Sequence, residues 1–354
     1  MTLPASLPHI GTLTPGAGNA ITDVAGVTVG HCTLADGDLQ TGVTVVRPHT
    51  GDPYRDRVPA AAVVLNGFGK STGLMQLQEL GQIDTPIALT NTFSVPAVAM
   101  AQIRQCIAAN PRSGRGLDTV NPLVLECNDG FLSDIQRMAI TEQHYRDAFD
   151  SAGVPFAQGS VGAGRGMSSF GLKGGIGSAS RQVPARAGTT HTLGALVLAN
   201  FGKLPQMLWA GDPLGARLAA QAAQAAQIPH ASQADGRPEK GSIIMLLATD
   251  APLDARQLKR LALRAGAGLA RTGSVFGHGS GDIALAFSTA YTLPQDPLRP
   301  MPALAMLHDA LLDDLFQAAA DSTEQAILHA LWHATSVTGR NGHQRLGLRD
   351  LPPH

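Results

Sequence analysis

The chain has 354 residues, 44% of them hydrophobic, with 26 basic side chains balanced by 27 acidic ones, enough for one large or two modest cores and too neutral for a nucleic-acid or anionic-membrane footprint. Cys32, Cys106 and Cys127 imply no disulfide framework and match no zinc spacing. With no basic-then-apolar leader and no window near ~18 apolar residues, the sequence predicts a cytoplasmic protein without a membrane span.

In chain order, a Pro/Gly-rich start over 1–25 leads into strands at Val27–His31 and Thr44–Arg47, joined by a turn at 35–38 (ADGD). Ala60–Asn66 is a continuous apolar run, suited to a strand covered on both faces. After NGFGKSTGL come a short helix at Met75–Leu80, a strand at Pro86–Thr90 and an alanine-rich helix over 97–109. A polar loop at 110–119 precedes the strand Leu123–Cys127, and helical patterns cover 133–152, the second starting at Thr141-Glu142. The glycine-dense stretch 158–181 is followed by a strand at Thr192–Phe201. Residues 202–240 are Ala/Gln-rich, with a surface helix and a polar loop at 231–240. Ser242–Ala248 reads as a strand, and 253–270 as a helix with Leu258, Leu261 and Leu263 inward. A buried strand at Ile283–Phe287 and two helices, about 302–318 and 321–335, complete a layered α/β chain with no internal repeat.

Glycine is abundant, at 40 residues, while aromatics are 4%, which points to tight turns and backbone-lined pockets between apolar strands. Several motifs fail on inspection. NGFGKST lacks the first glycine of a phosphate loop, because that position is Val64. GAGRGM at 162–167 puts Met167 where a dinucleotide fingerprint needs its last glycine. His329 and His333 share a helix face but lack the Glu of a zinc motif, so hydrogen-bonded structural histidines are expected, and neither a metal nor a cofactor. Cys127, inside an apolar strand, reads as a small buried hydrophobe.

The stretch 269–287, LARTGSVFGHGSGDIALAF, carries the chemistry of interest. If the Gly273–Ser274 bond is cut by the protein itself, Ser274 becomes an N-terminal nucleophile whose own α-amine serves as base. Gly273, without a side chain, permits the strained backbone that such an attack needs. Asn200, at a strand end, is a side-chain candidate for the oxyanion donor. A plain turn serine is the competing reading, since Gly-Ser occurs at four other places in the chain.

Ordered matches along nearly the whole chain bear on that choice. They include NAITDVAGVTVGHCTL at 19–34, TGVTVV at 41–46, NGFGKSTGL at 66–74 and TPIALTNT at 85–92. GSVGAGRGM at 159–167, FGLKGGIGSASR at 170–181, LVLANFG at 196–202 and SIIMLLATDAPL at 242–253 follow. The last are GLARTGSVFGHGSGD at 268–282, DSTEQAILHAL at 321–331 and VTGRNGH at 337–343. In these the chain resembles the L-aminopeptidase/D-amidase–esterases and β-aminopeptidases, self-processing N-terminal-serine hydrolases.

The resemblance implies a four-layer α/β/β/α sandwich shared with ornithine acetyltransferase-type proteins. It implies one catalytic domain over 1–354, cleaved into 1–273 and 274–354, with self-association of the cleaved chains. It further implies a Ser322/Glu324 pair orienting Ser274, at what reads as a helix start, and hydrolysis of short peptides, amides or esters through an acyl-enzyme. Acyl transfer through the same intermediate, or an uncleaved binder on the same fold, are the rival readings. Phe170 stands where some members have a tyrosine that meets substrate. Gln158 stands where relatives have an acidic residue for the substrate ammonium, so substrate binding at both positions departs from the family pattern.

Overall fold

The computed structural model describes residues 3–185, 188–225 and 241–352. Its strands are β1 (Thr28–Asp36), β2 (Leu39–Arg47), β3 (Asp56–Gly67), β4 (Gln82–Ile83), β5 (Ile87–Asn91), β6 (Leu123–Cys127), β7 (Ser168–Ser169), β8 (Leu172–Lys173), β9 (Gly175–Pro184), β10 (Thr190–Asn200), β11 (Ser242–Thr249), β12 (Gly281–Ser288), β13 (Leu293–Pro294), β14 (Val337–Thr338) and β15 (Gln344–Arg345). The helices are α1 (Leu74–Leu80), α2 (Val95–Ala109), α3 (Glu142–Asp150), α4 (Leu214–Ala225), α5 (Ala255–Arg271) and α6 (Asp313–His333).

Two sheets form the middle of the molecule. The smaller runs β1-β2-β5-β6 and the larger β13-β3-β12-β11-β10-β9, with β11 and β12 parallel and β12 antiparallel to β3. Side chains alternate across a strand, so one apolar run can feed two cores. In β12, Ile283, Leu285 and Phe287 join Val29, Val46, Leu89 and Leu125 of the smaller sheet between the two sheets. Ala284 and Ala286 face the other way, toward Leu258, Leu261 and Leu269 of α5 and Ile327 and Leu331 of α6. On the far face of the smaller sheet, Val43, Val45 and Val124 pack against Val98 of α2 and Tyr145 of α3. The result is the expected α/β/β/α sandwich.

α5 shows how local chemistry fixes one boundary. Asp254 accepts from the Gln257 amide at 2.7 Å while the Gln257 side chain accepts from the Asp254 amide at 3.1 Å, a reciprocal N-terminal cap. The helix buries Leu258, Leu261, Ala262, Ala265 and Leu269. Leu263 does not point inward as its apolarity suggested. It is 48% exposed, because a residue two places from Leu261 lies about 200° round a helix of 3.6 residues per turn.

Other departures have similar causes. The turn between β1 and β2 falls at 37–38, inside the expected loop, but both strands run longer than their apolar centres. Helical structure over 133–152 reduces to a turn at Ile135–Arg137 and to α3, which starts after Thr141 as expected. The surface helix within 202–240 is α4, and the polar loop at 231–240 lies outside the described residues. The two C-terminal helices are one helix of 21 residues, α6, preceded only by a single turn at Asp309–Leu311. Asp321, Ser322 and Thr323 read as a break but lie in its buried middle, where Thr323 bonds back to the Ala319 carbonyl at 2.7 Å. Ser322 and Glu324 are therefore mid-helix residues, not caps.

Candidate active site

The ladders of the larger sheet bring Asn200, Ser242, Gly281 and Gly67 into one row at the end of adjacent strands. The smaller sheet ends against this rim: the Asn200 amide nitrogen donates to the Asn128 carbonyl at 3.0 Å, just past β6. Ser274 lies on the connection that leaves α5 and re-enters the sheet at Gly281.

Two segments grip that connection. The Leu208 amide donates to the Thr272 carbonyl at 3.0 Å, and the Thr272 hydroxyl turns back to Leu269 at 2.7 Å. Gly273 has φ +100°, and a Cβ there would sit 1.8 Å from the Gln206 carbonyl oxygen, so both conformation and space require glycine. Phe276 is also left-handed, at φ 53°, so Ser274 sits between two backbone positions that L-residues with a Cβ seldom adopt. Ser274 is 7% exposed, and its hydroxyl accepts from the Phe276 amide at 3.3 Å. Further along, Asn66 donates to the carbonyls of Gly277, at 2.9 Å, and Ser280, tying the loop to the end of β3.

The helix side of the site sets buried acids against an exposed cation. Arg271, on the last turn of α5, donates to Asp321 at 2.6 Å and lies 3.6 Å from Glu324. Gly268 lets α5 approach α6 at this level, since a Cβ there would meet the Ala320 carbonyl at 2.3 Å. Burial raises the Glu324 carboxyl above its ordinary range, and the Arg271 charge opposes that shift. The Ser322 hydroxyl between these acids is fully buried, with no hydrogen-bond partner among the described residues. Arg271 thus joins the Ser322/Glu324 segment of α6 to the turn that carries Gly273 and Ser274.

Asn200 is 6% exposed and its amide has a fixed sense. Its oxygen accepts from the Ser168 amide at 2.8 Å and its nitrogen takes Asn128, which leaves the second N–H of the amide for a ligand. Phe170, fully buried, packs edge-on against Phe201 with centroids 5.0 Å apart, one residue beyond Asn200. Gln158 uses its side-chain oxygen on the Ser178 amide of β9, at 2.8 Å. His329 is buried and bonds Gln325 at 3.0 Å, and burial lowers its pKa to about 4, as suits a structural histidine.

Sequence reasoning passed over Glu126. This acid is the penultimate residue of the apolar strand β6 and is 3% exposed. One oxygen accepts from the Lys70 amide at 2.8 Å and the other from the Thr92 hydroxyl. A Cβ on Gly69 would lie 3.5 Å from that carboxylate and 3.9 Å from Gly281, so Glu126 abuts the rim itself. A charge inside an otherwise apolar strand is the signal that could have found it.

Comparison with known proteins extends over this whole arrangement. The profile of Peptidase family S58 matches residues 19–345. The chain is 40% identical over 352 residues to the beta-peptidyl aminopeptidase BapA of Sphingosinicella microcystinivorans, covering 95% of this chain and 87% of that one. The crystal structure of the PH0078 protein from Pyrococcus horikoshii OT3 superposes with a TM-score of 0.87 at 44% identity, covering 97% and 94% of the two chains. The L-aminopeptidase D-Ala-esterase/amidase of Ochrobactrum anthropi, described as a prototype of the serine aminopeptidases and a new variant of the Ntn hydrolase fold, gives 0.87 at 34% identity, covering 96% and 93%.

Proposed function

The chain belongs to peptidase family S58, and from that membership we propose that it is an aminopeptidase whose nucleophile, Ser274, is released by self-cleavage after Gly273. The observation that carries the proposal is Gly273 itself, at φ +100° between the Gln206 backbone and a buried serine. In the first step the Ser274 hydroxyl oxygen attacks the Gly273 carbonyl carbon. The C–N bond breaks, the nitrogen takes a proton to become the Ser274 amine, and water then hydrolyses the ester to leave a Gly273 carboxylate and a free hydroxyl.

In turnover the neutral Ser274 amine, ordinarily titrating near pH ~8, accepts the hydroxyl proton and passes it to the leaving group. The free N–H of Asn200 serves the oxyanion. Ser322 and Glu324, linked to the cleavage turn through Arg271, orient the nucleophile, and Glu126 at the rim offers a carboxylate to the substrate ammonium. The relatives' names support substrates with a free N-terminal amine, with β- and L-residues and D-alanyl amides or esters as the panel to assay.

Intact-mass analysis of the purified protein tests the cleavage. Fragments beginning at Met1 and Ser274 are expected, and a single chain persisting after prolonged incubation defeats the reading. Ser274→Ala abolishes both cleavage and hydrolysis, so activity retained in that variant removes Ser274 as nucleophile.

A further inference from the structure

We propose that Lys173, a buried lysine that none of the steps above uses, is the positioning residue that fixes the side-chain amide of Asn200; this rests on the reading of Asn200 as oxyanion donor. Lys173 ends β8 and is completely buried, yet its partners are all backbone carbonyls. Its Nζ donates to Gly164, Met167 and Gly174, each at 2.8 Å. An ammonium has three N–H donors and a neutral amine has two, so three acceptors match the charged form. Burial and nearby Arg165 pull the group toward neutrality, and Asp129 pulls the other way.

The consequence runs through a single peptide plane. The Met167 carbonyl is held from two sides, by Lys173 Nζ at 2.8 Å and by the Gly174 amide at 3.0 Å. The carbonyl of Met167 and the N–H of Ser168 belong to the same planar unit, so fixing one direction fixes the other. That N–H is the donor to Asn200 Oδ1, at 2.8 Å. With its oxygen committed there and Nδ2 on Asn128, the Asn200 amide has one orientation, and its second N–H one direction. Loss of the Lys173 ammonium leaves the Met167 carbonyl held by the Gly174 amide alone, so the Met167–Ser168 peptide can tilt and the Ser168 donor that sets the sense of the Asn200 amide moves with it. The neighbouring contacts hold the same hairpin to the end of β10, with the Phe170 amide donating to the Phe201 carbonyl at 2.8 Å.

The test is a double-mutant cycle on processed enzyme, read with an aminoacyl p-nitroanilide. Asn200→Ala is expected to lower kcat by about 10²-fold or more, the usual effect of losing an oxyanion donor. Lys173→Met is expected to lower kcat by about 10²-fold, as for a displaced donor, with KM changed by no more than about twofold. In the Asn200→Ala background, Lys173→Met should cause almost no further loss.

Full kcat in Lys173→Met, a loss confined to KM, or losses that multiply in the double variant each overturn the proposal. If Ser274→Ala is dead while Asn200→Ala keeps its kcat, the oxyanion assignment falls and takes the Lys173 role with it, but the nucleophile stands. Should Lys173→Met fail to fold, hydrogen exchange at the Ser168 amide decides. Protection in the wild type and loss of it in Lys173→Gln, which keeps a side-chain donor but not the ammonium, are expected, and equal exchange in both defeats the link.

Discussion

Gly273→Ala puts the two demands of the Gly273–Ser274 turn to the test at once. At φ +100° an alanine is outside the region open to residues with a Cβ, a strain of about 1–3 kcal/mol. Its methyl group would also lie 1.8 Å from the Gln206 carbonyl oxygen, more than an ångström inside ordinary contact. That oxygen belongs to a backbone held by the Leu208–Thr272 hydrogen bond, so relief requires both segments to part. Together these effects amount to about 3 kcal/mol or more. With an unfolding entropy of about 2.1 cal/mol/K per residue, that lowers Tm by about 4 °C. The expected effect on the proposed self-cleavage is larger, because a displacement of about 1 Å at the Gly273 carbonyl would slow attack by about 10²-fold. A time course of fragment appearance on a denaturing gel, beside a calorimetric scan, measures both. Cleavage within about twofold of the wild-type rate with an unchanged Tm would refute the reasoning.

Other expectations follow from the surrounding charges. Glu126→Gln keeps the acceptor for Lys70 but removes the charge. KM for substrates with a free amine should rise by about 10-fold or more, while N-acylated esters are affected little; equal effects on both count against ammonium recognition. Asp129 is buried and its carboxyl is pushed up to about 7, chiefly by desolvation. A folded pKa above the unfolded one means the folded state holds the extra proton. Stability should therefore fall as pH rises from about 4 to about 7, by at most ~1.4 kcal/mol per unit. Asp129→Asn should flatten that slope in a Tm-against-pH series, and an unchanged slope rejects the assignment. Arg271→Gln removes the cation that opposes the upward shift of Glu324, so the acid limb of kcat/KM should move to higher pH. Asp321 and Arg181, which also face Glu324, remain in that variant, and an unmoved limb separates Glu324 from the rate.

The sandwich was legible because strands buried on both faces write themselves as unbroken apolar runs, as in Ile243–Ala248 and Ile283–Phe287. What sequence patterning could not show was the cost of burying charge, because partners come from elsewhere in the chain. Asp321 breaks an apolar pattern locally but is paired with Arg271, 50 residues earlier, so α6 continues through it. Glu126 is held by Lys70 and Thr92, and Lys173 by the glycine-rich turn before it. Each looks like an intrusion in one dimension and becomes a connection in three. Leu263 fails in the opposite sense: its apolarity suggested burial, and helix geometry alone puts it in solvent.

The same topology bears on how a chain could lose its Gly273–Ser274 bond and keep its site. Everything after Ser274 that matters to the core is already interleaved with what precedes it. β12 lies between β3 and β11, and α6 packs on α5, β9 and β10. Ile283, Leu285 and Phe287 are buried between the sheets, and burial of each such side chain stabilises by about 1.5–3 kcal/mol. The bond itself spans a turn whose neighbours are fixed independently, on one side by Leu208 and on the other by Asn66. Cleavage there removes one covalent link from a structure held by two hydrophobic layers, so the fragments 1–273 and 274–354 should co-purify and separate only on denaturation. Their separation in native buffer would mean that the connection, and not the packing, holds Ser274 in place.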